Sequence, residues 1–571
     1  MIKLIIDLIG LIGGLIIISV CLFGWGQICW RVLGMKTAQN LESASVWLGF
    51  CLIIGLTEIA HLFIPINWKV SLVFLLIGLF GCMLTPQVFS RLNVVAFRHY
   101  CSNHRWWFLY TILITLGISF RAMTIPNNYD SGLYHFQSIR WLNEYPIVLG
   151  LGNLHWRLAL NQSYFGFLGL LNVFPFWGKG YAVGGAFIWL LVFATVLEYC
   201  VQGEKKTRWI TFITLGVSLA YFAPSIPNPT PDNGIFLIEI VIFLYLCRVI
   251  LLSRINPTIS FRYVVVVFLT CYALISIKLS SLGFVSGVFL VLAYWYFSRA
   301  RREDKVMIYR PCLIFSGFVA CHIARGYLLS GVPFFPNSFA AAWDLPWAVS
   351  QEVLRYESAL IYSWARLPGG LVPDEVLSSW DWIPIWWSKI PDIAAWTFYL
   401  ATLCSMFVLY IFIKKDKNKR HLNLVMYLPL ILGLVFWFFT APDIRFLGAC
   451  LPLYLMLSIK LVSLHSAQES WCLPKFLYKK LPSASLARAS IVLLCVFLLL
   501  KVVGTQPSLN GWPDLSKPKL SSVAIQPKFY TYTPSDGNQC WDSPLPCTPY
   551  NVSGLSYRDF VTTHMFTMKP H

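Results

Sequence analysis

The feature that most constrains this chain is a recurring apolar stretch of about 20 residues, the length a helix needs to cross a bilayer. Fourteen such stretches can be read, near 4–24, 46–65, 68–87, 106–124, 181–200, 209–224, 234–252, 263–277, 282–298, 309–328, 394–413, 422–440, 445–463 and 487–504. In hydrocarbon every backbone N–H and C=O must be satisfied within the spanning structure, and a helix does this inside one segment. The pattern predicts an all-α polytopic membrane protein with about 14 transmembrane helices. Composition agrees: 57% of residues are hydrophobic and 12% charged, against about 25% charged in a soluble domain. The first stretch lacks a basic leading region and a small-residue cleavage site, which predicts a retained span.

A net charge of +19 in a soluble protein would raise the question of nucleic acid. Here the excess of Lys and Arg in cytoplasmic loops accounts for it, and no nucleic-acid partner is expected. The runs "EKKTR", "SRARREDK" and "KKDKNKR", with Arg91, Arg98 and Arg105, are assigned to the cytoplasmic side. Alternation then puts both termini outside, together with 125–180, 225–233, 329–393, 441–445 and 505–571. Of the 25 acidic residues, 15 fall in those outer segments, although the assignment did not use them. The charged chemistry is therefore expected on the outer face.

Three segments qualify this picture. The apolar stretch 164–178 contains Pro175, and a full crossing there would invert every later loop, so an interfacial or re-entrant helix is expected. Segment 329–393 carries seven Trp, including "SSWDWIPIWW". Trp favours the bilayer–water interface, so this segment is expected against the outer leaflet, as an anchor or as a wall of a lipid-facing entrance. The tail 505–571 is polar and rich in Pro and Gly, and no fold is assigned to it. Within it, Cys540 and Cys547 are expected to form a disulfide in an oxidising compartment, the alternative being two free thiols. Most other Cys lie in apolar stretches, as small hydrophobes do. The chain has no GxxxxGK[ST], no HExxH, no clustered CxxC pairs and no evident internal repeat.

Four outer features carry candidate chemistry. "NNYDSGLYHFQSIRW" holds Asp130, Tyr134, His135 and Arg140, followed by Glu144 and by "NLHWRLALNQS" with His155 and Arg157. Helical spacing aligns Asp130 with Tyr134, Gln137 and Trp141, an amphipathic helix suited to the membrane surface. "PNPTPDNG" delivers Asp232 to the start of a span, where a carboxylate either caps the helix or does chemistry. "IKLSS" puts Lys278 at membrane depth, where an ionisable group is functional by default and snorkelling is the alternative. "ARGYLLSGVPFFP" and "APDIRF" supply Arg325, Asp443 and Arg445. The planar fork of Arg suits phosphate, and lipid headgroups are the competing partner. Together, carboxylates that could take a hydroxyl proton and cations that could hold a phosphate leaving group suggest an enzyme acting on phosphate-bearing lipids.

With these motifs in this order, the chain resembles the GT-C class of integral membrane glycosyltransferases. The likeness is to relatives of the protein mannosyltransferases and of the aminoarabinose and similar lipid-sugar transferases. It rests on "YDSGLYH", "PTPD", "IKLSS", "RGYLLSGVPFFP" and "APDIRF" and spans roughly 106–465. Residues 1–105 would be an N-terminal addition of transmembrane helices, 106–465 the GT-C-like catalytic module, 466–504 a basic cytoplasmic loop and last helix, and 505–571 an exoplasmic tail. In the module, 125–180 would be the first catalytic outer loop, with its juxtamembrane helices, and 329–393 the Trp-rich outer loop. "YHFQSIRWLNEY", "LGLGNLHWR" and "QCWDSPLPCTPY" also resemble an uncharacterised group of bacterial membrane proteins.

The resemblance implies transfer of a sugar from a polyprenyl-phosphate donor to a glycan, lipid or protein acceptor, with inversion, on the outer face of a bacterial inner membrane. Carried over, Asp130 is the general base and Asp232 a second catalytic acid. Lys278, Arg325 and Arg445 bind the donor phosphate, while Tyr134, His135, Arg140, His155, Arg157 and Asp443 bind donor or acceptor. Some relatives use a divalent cation, for which His135 and His155 are the ligand candidates, ordinary polar contacts being the alternative. The chain departs from the pattern at Ser131, which stands where many relatives have a second acid; Asp232 or Glu144 would have to fill that place. Two other classes compete. An O-antigen-type polymerase or ligase would rely on His155 and Arg157 more than on Asp130. A transporter or flippase would show paired, symmetric halves, which the sequence lacks.

Overall fold

A computed structural model describes residues 2–35, 42–84, 105–202, 208–369, 372–414, 425–466, 511–527, 529–559 and 564–568. Among these residues eight helices are long and apolar enough to cross a membrane: Ile2–Val32, Glu42–His61, Gly180–Val201, Pro231–Leu252, Pro257–Ile277, Leu279–Ser298, Arg302–Ser330 and Asp392–Leu409. Four shorter apolar helices accompany them: Trp68–Met83, Thr111–Ala122, Leu428–Thr440 and Cys450–Ser463. The chain is a helical membrane protein. The expected span at 487–504, Arg91, Arg98 and most of the runs "EKKTR" and "KKDKNKR" lie outside the described residues.

Local chemistry starts these helices where polar residues meet apolar runs. Asn67 accepts from the backbone N–H of Lys69 and Val70, and Asn256 from that of Ile259, each satisfying a helix-start donor. Pro231 and Pro257 occupy first helical positions, where no N–H is required. The helices sort into two environments. Protein buries 78% of an 18-residue apolar stretch of Pro231–Leu252 and 72% of that of Pro257–Ile277, but only 17% of those of Arg302–Ser330 and Asp392–Leu409. The first pair forms the centre, and the second pair presents apolar side chains such as Leu313, Trp396 and Leu403 outward. At the N-terminal end, Ile2–Val32 packs against both Glu42–His61 and Trp68–Met83. A Cβ on Gly24 would fall 1.7 Å from the Gly78 carbonyl oxygen, and one on Gly49 1.8 Å from that of Leu22. Small residues let backbones meet this closely where lipid gives no hydrophobic drive for association.

The stretch 164–178 departs from expectation. Its helix, Tyr164–Asn172, has nine residues, about 13 Å of rise, less than half the roughly 30 Å hydrocarbon core. It does not cross. Neither does it lie on lipid: Tyr164 through Leu171 are buried by protein, between Phe136–Glu144, Gly180–Gln202 and Glu42–His61. An apolar stretch too short to span is stable here because other helices cover all its sides.

The tail also holds more structure than its composition suggests. It folds into two antiparallel hairpins, Leu520–Gln526 with Phe529–Pro534 and Leu555–Asp559 with His564–Met568. The rings of Phe529 and Tyr557 stack at 3.9 Å between them. The disulfide Cys540–Cys547 is present. So small a unit buries little surface of its own, and a covalent link is one way to hold it.

Candidate functional site

The first loop begins with a knot of asparagines. Asn228, in the turn before Asp232, accepts from the backbone N–H of Asn127 at 2.8 Å, and donates to the Asn127 side chain at 2.8 Å. Asn128 accepts from the Asp130 N–H at 2.8 Å. Two loops about 100 residues apart are thus tied together, and Asp130 is fixed at the tie. From Asp130 the chain enters one π-turn, Ser131–His135, before the helix Phe136–Glu144. A π-turn adds a residue to the helical repeat, and such turns are frequent at functional sites. The added residue takes Asp130 off the face that carries Gln137 and Trp141. The expected surface helix is also covered. Gln137 donates to the carbonyls of Trp541 and Ser543, both at 2.9 Å, so the tail lies over what looked like a membrane-facing surface.

Around Asp130 the structure gathers residues from four separate segments. One carboxylate oxygen is 3.9 Å from the Arg157 guanidinium and the other 3.8 Å from that of Arg445. Both distances exceed a hydrogen bond, and the Asp130 side chain, 24% exposed, makes none among the described residues. Asp232 pairs directly with Lys278. The cap of its helix is Thr230, so the Asp232 carboxylate is free to turn to Lys278. Lys278 sits where Pro257–Ile277 ends, 3.7 Å over the Phe446 ring. Asp443 accepts from the Arg445 backbone N–H at 2.9 Å and pairs with its guanidinium at 3.1 Å. The Arg157 guanidinium lies 5.8 Å over the Tyr134 ring.

Electrostatics tie the group together. Burial, then the Asp130 charge, pushes the Tyr134 phenol above its ordinary range. Burial lowers His135 to about 3; Asp232 opposes this and Lys278, Arg157 and Arg445 reinforce it. Burial works against the Arg445 charge, but Asp443, Asp232 and Asp130 hold its guanidinium above the ordinary value. Seven of the expected site residues, Asp130, Tyr134, His135, Arg157, Asp232, Lys278 and Arg445, therefore share one neighbourhood, with Asp443 bound to the last.

Three expected site residues are engaged by other partners. Arg325 is 7% exposed and belongs to a network between helices. It donates to Asn161 at 3.2 Å and to His61 Nδ1 at 2.7 Å, and lies 3.5 Å from Glu58. Glu58 also accepts from Tyr272 at 2.6 Å and pairs with His322 at 2.9 Å. The Arg325 Nε and Nη1 are thus engaged inside the network, while its side chain also lines a small cavity shared with Arg157. Arg140 pairs with Glu144 at 2.6 Å and donates to the Asp542 carbonyl at 2.9 Å, holding the tail. His155 meets the Tyr550 hydroxyl at 3.1 Å, and burial lowers it to about 3. Glu144, engaged with Arg140, does not fill the place of the second acid.

Among the described residues no three His, Cys, Asp or Glu side chains converge. Asp232 is closed by Lys278, Asp443 by Arg445, and His155 by Tyr550. Two residues that reasoning from sequence passed over stand out. Glu58 interrupts an apolar window in "GLTEIAH", a signal that was available. Glu357 is the other. Trp386 of the Trp-rich segment donates to the Pro442 carbonyl at 2.7 Å, and Trp437 of the helix Leu428–Thr440 to the Asp443 carbonyl at 2.7 Å, so Trp rings buttress the turn bearing Asp443 and Arg445.

A family model described as a domain of unknown function (DUF8201) matches residues 9–451, and the chain belongs to that family. No curated protein and no solved structure matches it.

Proposed function

We propose that this member of the DUF8201 family is a membrane glycosyltransferase that moves a sugar from a polyprenyl-phosphate donor to a hydroxyl of a cell-envelope acceptor. The reading is of a GT-C-like bundle of about fourteen spans in a bacterial inner membrane, its site on the outer face. One observation carries it: Asp130, Arg157, Asp232–Lys278 and Asp443–Arg445, far apart in sequence, meet at one end of the bundle, and the Asp130 carboxylate makes no hydrogen bond among the described residues. A site whose purpose was only structural would close such a carboxylate onto its arginines.

In this reaction the acceptor oxygen attacks the anomeric carbon, forming a C–O bond as the C–O bond to phosphate breaks. The acceptor proton passes to the Asp130 carboxylate. The electron pair of the broken bond leaves on the polyprenyl phosphate, whose growing charge faces Lys278 and Arg445. Lys278 has three N–H donors and gives one to Asp232, which orients it and leaves others for phosphate. Arg157 makes no hydrogen bond among the described residues, so its whole fork is available.

The test is Asp130→Asn in the full-length protein reconstituted with polyprenyl-phosphate sugars and envelope glycans. Loss of a general base predicts a fall in turnover of about 10²- to 10⁴-fold with insertion and melting temperature retained. An Asp130→Asn protein that transfers sugar at the original rate would sink the reading.

A further inference from the structure

We propose that Glu357, on the helix Gln351–Arg366 of the Trp-rich segment, is a second carboxylate of this site and holds a hydroxyl of a neutral sugar acceptor against Arg157. The inference rests on the transferase reading and names the acceptor class for it.

The helix itself gives the first argument. Its inward stripe runs Leu354, Glu357, Ile361, Ala365, at the three- and four-residue spacing of one helix face. Glu352 and Arg355 face outward, as charged residues should, but Glu357 takes a place on the stripe where an apolar residue belongs and is only 1% exposed. Charged residues that break the local pattern mark functional sites.

The second argument is what Glu357 lacks. Its carboxylate makes no hydrogen bond to any described residue, and Oε1 is fully shielded. Burial raises it to about 7, and Arg157 is the charge that opposes this. An unpartnered buried carboxylate is strongly unfavourable, and native structures keep few without a use. Arg157 is close enough to be felt, but the pair is not within 4.0 Å, the limit of an ion pair. Among the described residues the Tyr550 hydroxyl is also coupled to Glu357, and His155 already engages it.

Arg157 thus stands near two carboxylates, Asp130 at 3.9 Å and Glu357 farther off, with no hydrogen bond to either among the described residues, and Leu354, one turn before Glu357, packs in one cluster with Trp156 and Ala159, which flank Arg157 in sequence. Complementary chemistry follows. A phosphate would suit Arg157 but be repelled by Glu357. A cation would suit Glu357 but be repelled by Arg157. A hydroxyl accepts from the guanidinium through its oxygen and donates its proton to the carboxylate, and a sugar carries several. One hydroxyl held at Glu357 leaves another to face Asp130, the base. The carboxylate that the sequence lacks at Ser131 is supplied from more than 200 residues away.

The experiment compares wild type, Glu357→Gln, Glu357→Asp and Asp130→Asn, all full length in lipid nanodiscs. Binding of a panel of neutral hexoses, pentoses, N-acetylhexosamines and their disaccharides is read by saturation-transfer NMR, and transfer from polyprenyl-phosphate sugars by kinetics. The expected result is that Glu357→Gln weakens glycan binding and raises acceptor KM about 10- to 100-fold, with a smaller change in kcat and in donor KM. Glu357→Asp should fall between, and Asp130→Asn should still bind glycan. Equal binding by wild type and Glu357→Gln overturns the proposal, as does a wild type that binds no neutral glycan of the panel. Glycan binding lost in Glu357→Gln but no transfer by any protein would instead leave Glu357 as a sugar ligand and remove the transferase reading.

Discussion

The His135 and His155 imidazoles are both lowered to about 3 by burial, from an ordinary value of 6.5. Each therefore contributes stability that is complete above pH about 6.5 and is lost as pH falls toward 3, because the unfolded chain binds a proton that the folded one refuses. Glu357 has the opposite sign. Raised from 4.5 to about 7, it favours the folded state below pH about 4.5, and that contribution is lost as pH rises to 7. Each group contributes up to about 1.4 kcal/mol per pH unit within its window. Between 4.5 and 6.5 Glu357 offsets one histidine. Thermal unfolding in nanodiscs across pH 4 to 8 should then show Glu357→Gln raising the melting temperature above pH 7 and steepening the acid loss between about 4.5 and 6.5. A melting curve that Glu357→Gln shifts equally at every pH would contradict this assignment.

Between elements, the network around Glu58 acts as a staple. It joins Glu42–His61 to Pro257–Ile277 through Tyr272, and to Tyr309–Ser330 through His322 and Arg325. Arg325 donates to His61 Nδ1, which leaves the His61 Nε2–H to donate to the Tyr145 carbonyl at 3.1 Å, so the staple reaches the end of the first-loop helix. Breaking one partner leaves a buried charge alone, at a cost of about 3–5 kcal/mol. Glu58→Gln and Arg325→Gln should each lower the melting temperature sharply, and the double variant should lose much less than the sum. Strict additivity in that double-mutant cycle would mean that the two side chains do not act as a pair.

At the scale of the molecule, the tail closes over the first loop from two sides. The Trp541 N–H donates to the Gly132 carbonyl at 2.8 Å beside Asp130, and Gln539 donates to the Tyr129 carbonyl at 2.7 Å. At the other side, the Phe566 backbone N–H donates to the Leu149 carbonyl and the Leu149 N–H to the His564 carbonyl, both at 2.9 Å. The disulfide closes the short loop that carries Trp541. Loop-closure entropy for so short a loop is worth about 2–3 kcal/mol. A Cys540→Ser, Cys547→Ser double variant should therefore release this edge of the tail, seen as faster proteolysis near 535–550, and lower transfer while leaving the helical bundle intact. Unchanged proteolysis and unchanged transfer would show that the clasp holds without the link.

The membrane-helix class follows from sequence alone, because an apolar run of bilayer length has few other stable conformations. Asp130, Asp232, Lys278 and Arg445 stand out in the sequence as candidates, since charges at the ends of such runs are conspicuous, and the structure brings them into one neighbourhood. The fate of Arg325 was not legible. In sequence it stands, like Arg445, near the junction of a span and a loop, and only the approach of Glu58 from a helix some 270 residues earlier turned it inward. Arg140 and His155 likewise sit in polar surroundings that suggest ligands, until the tail arrives and uses them. Glu357 was readable as a break in a helical stripe, but its neighbour was not. Spacing along one chain specifies which face a side chain occupies. Which partner meets that face is decided only when distant segments pack, because electrostatic and hydrogen-bonding energies depend on separations of a few ångströms that no local pattern encodes.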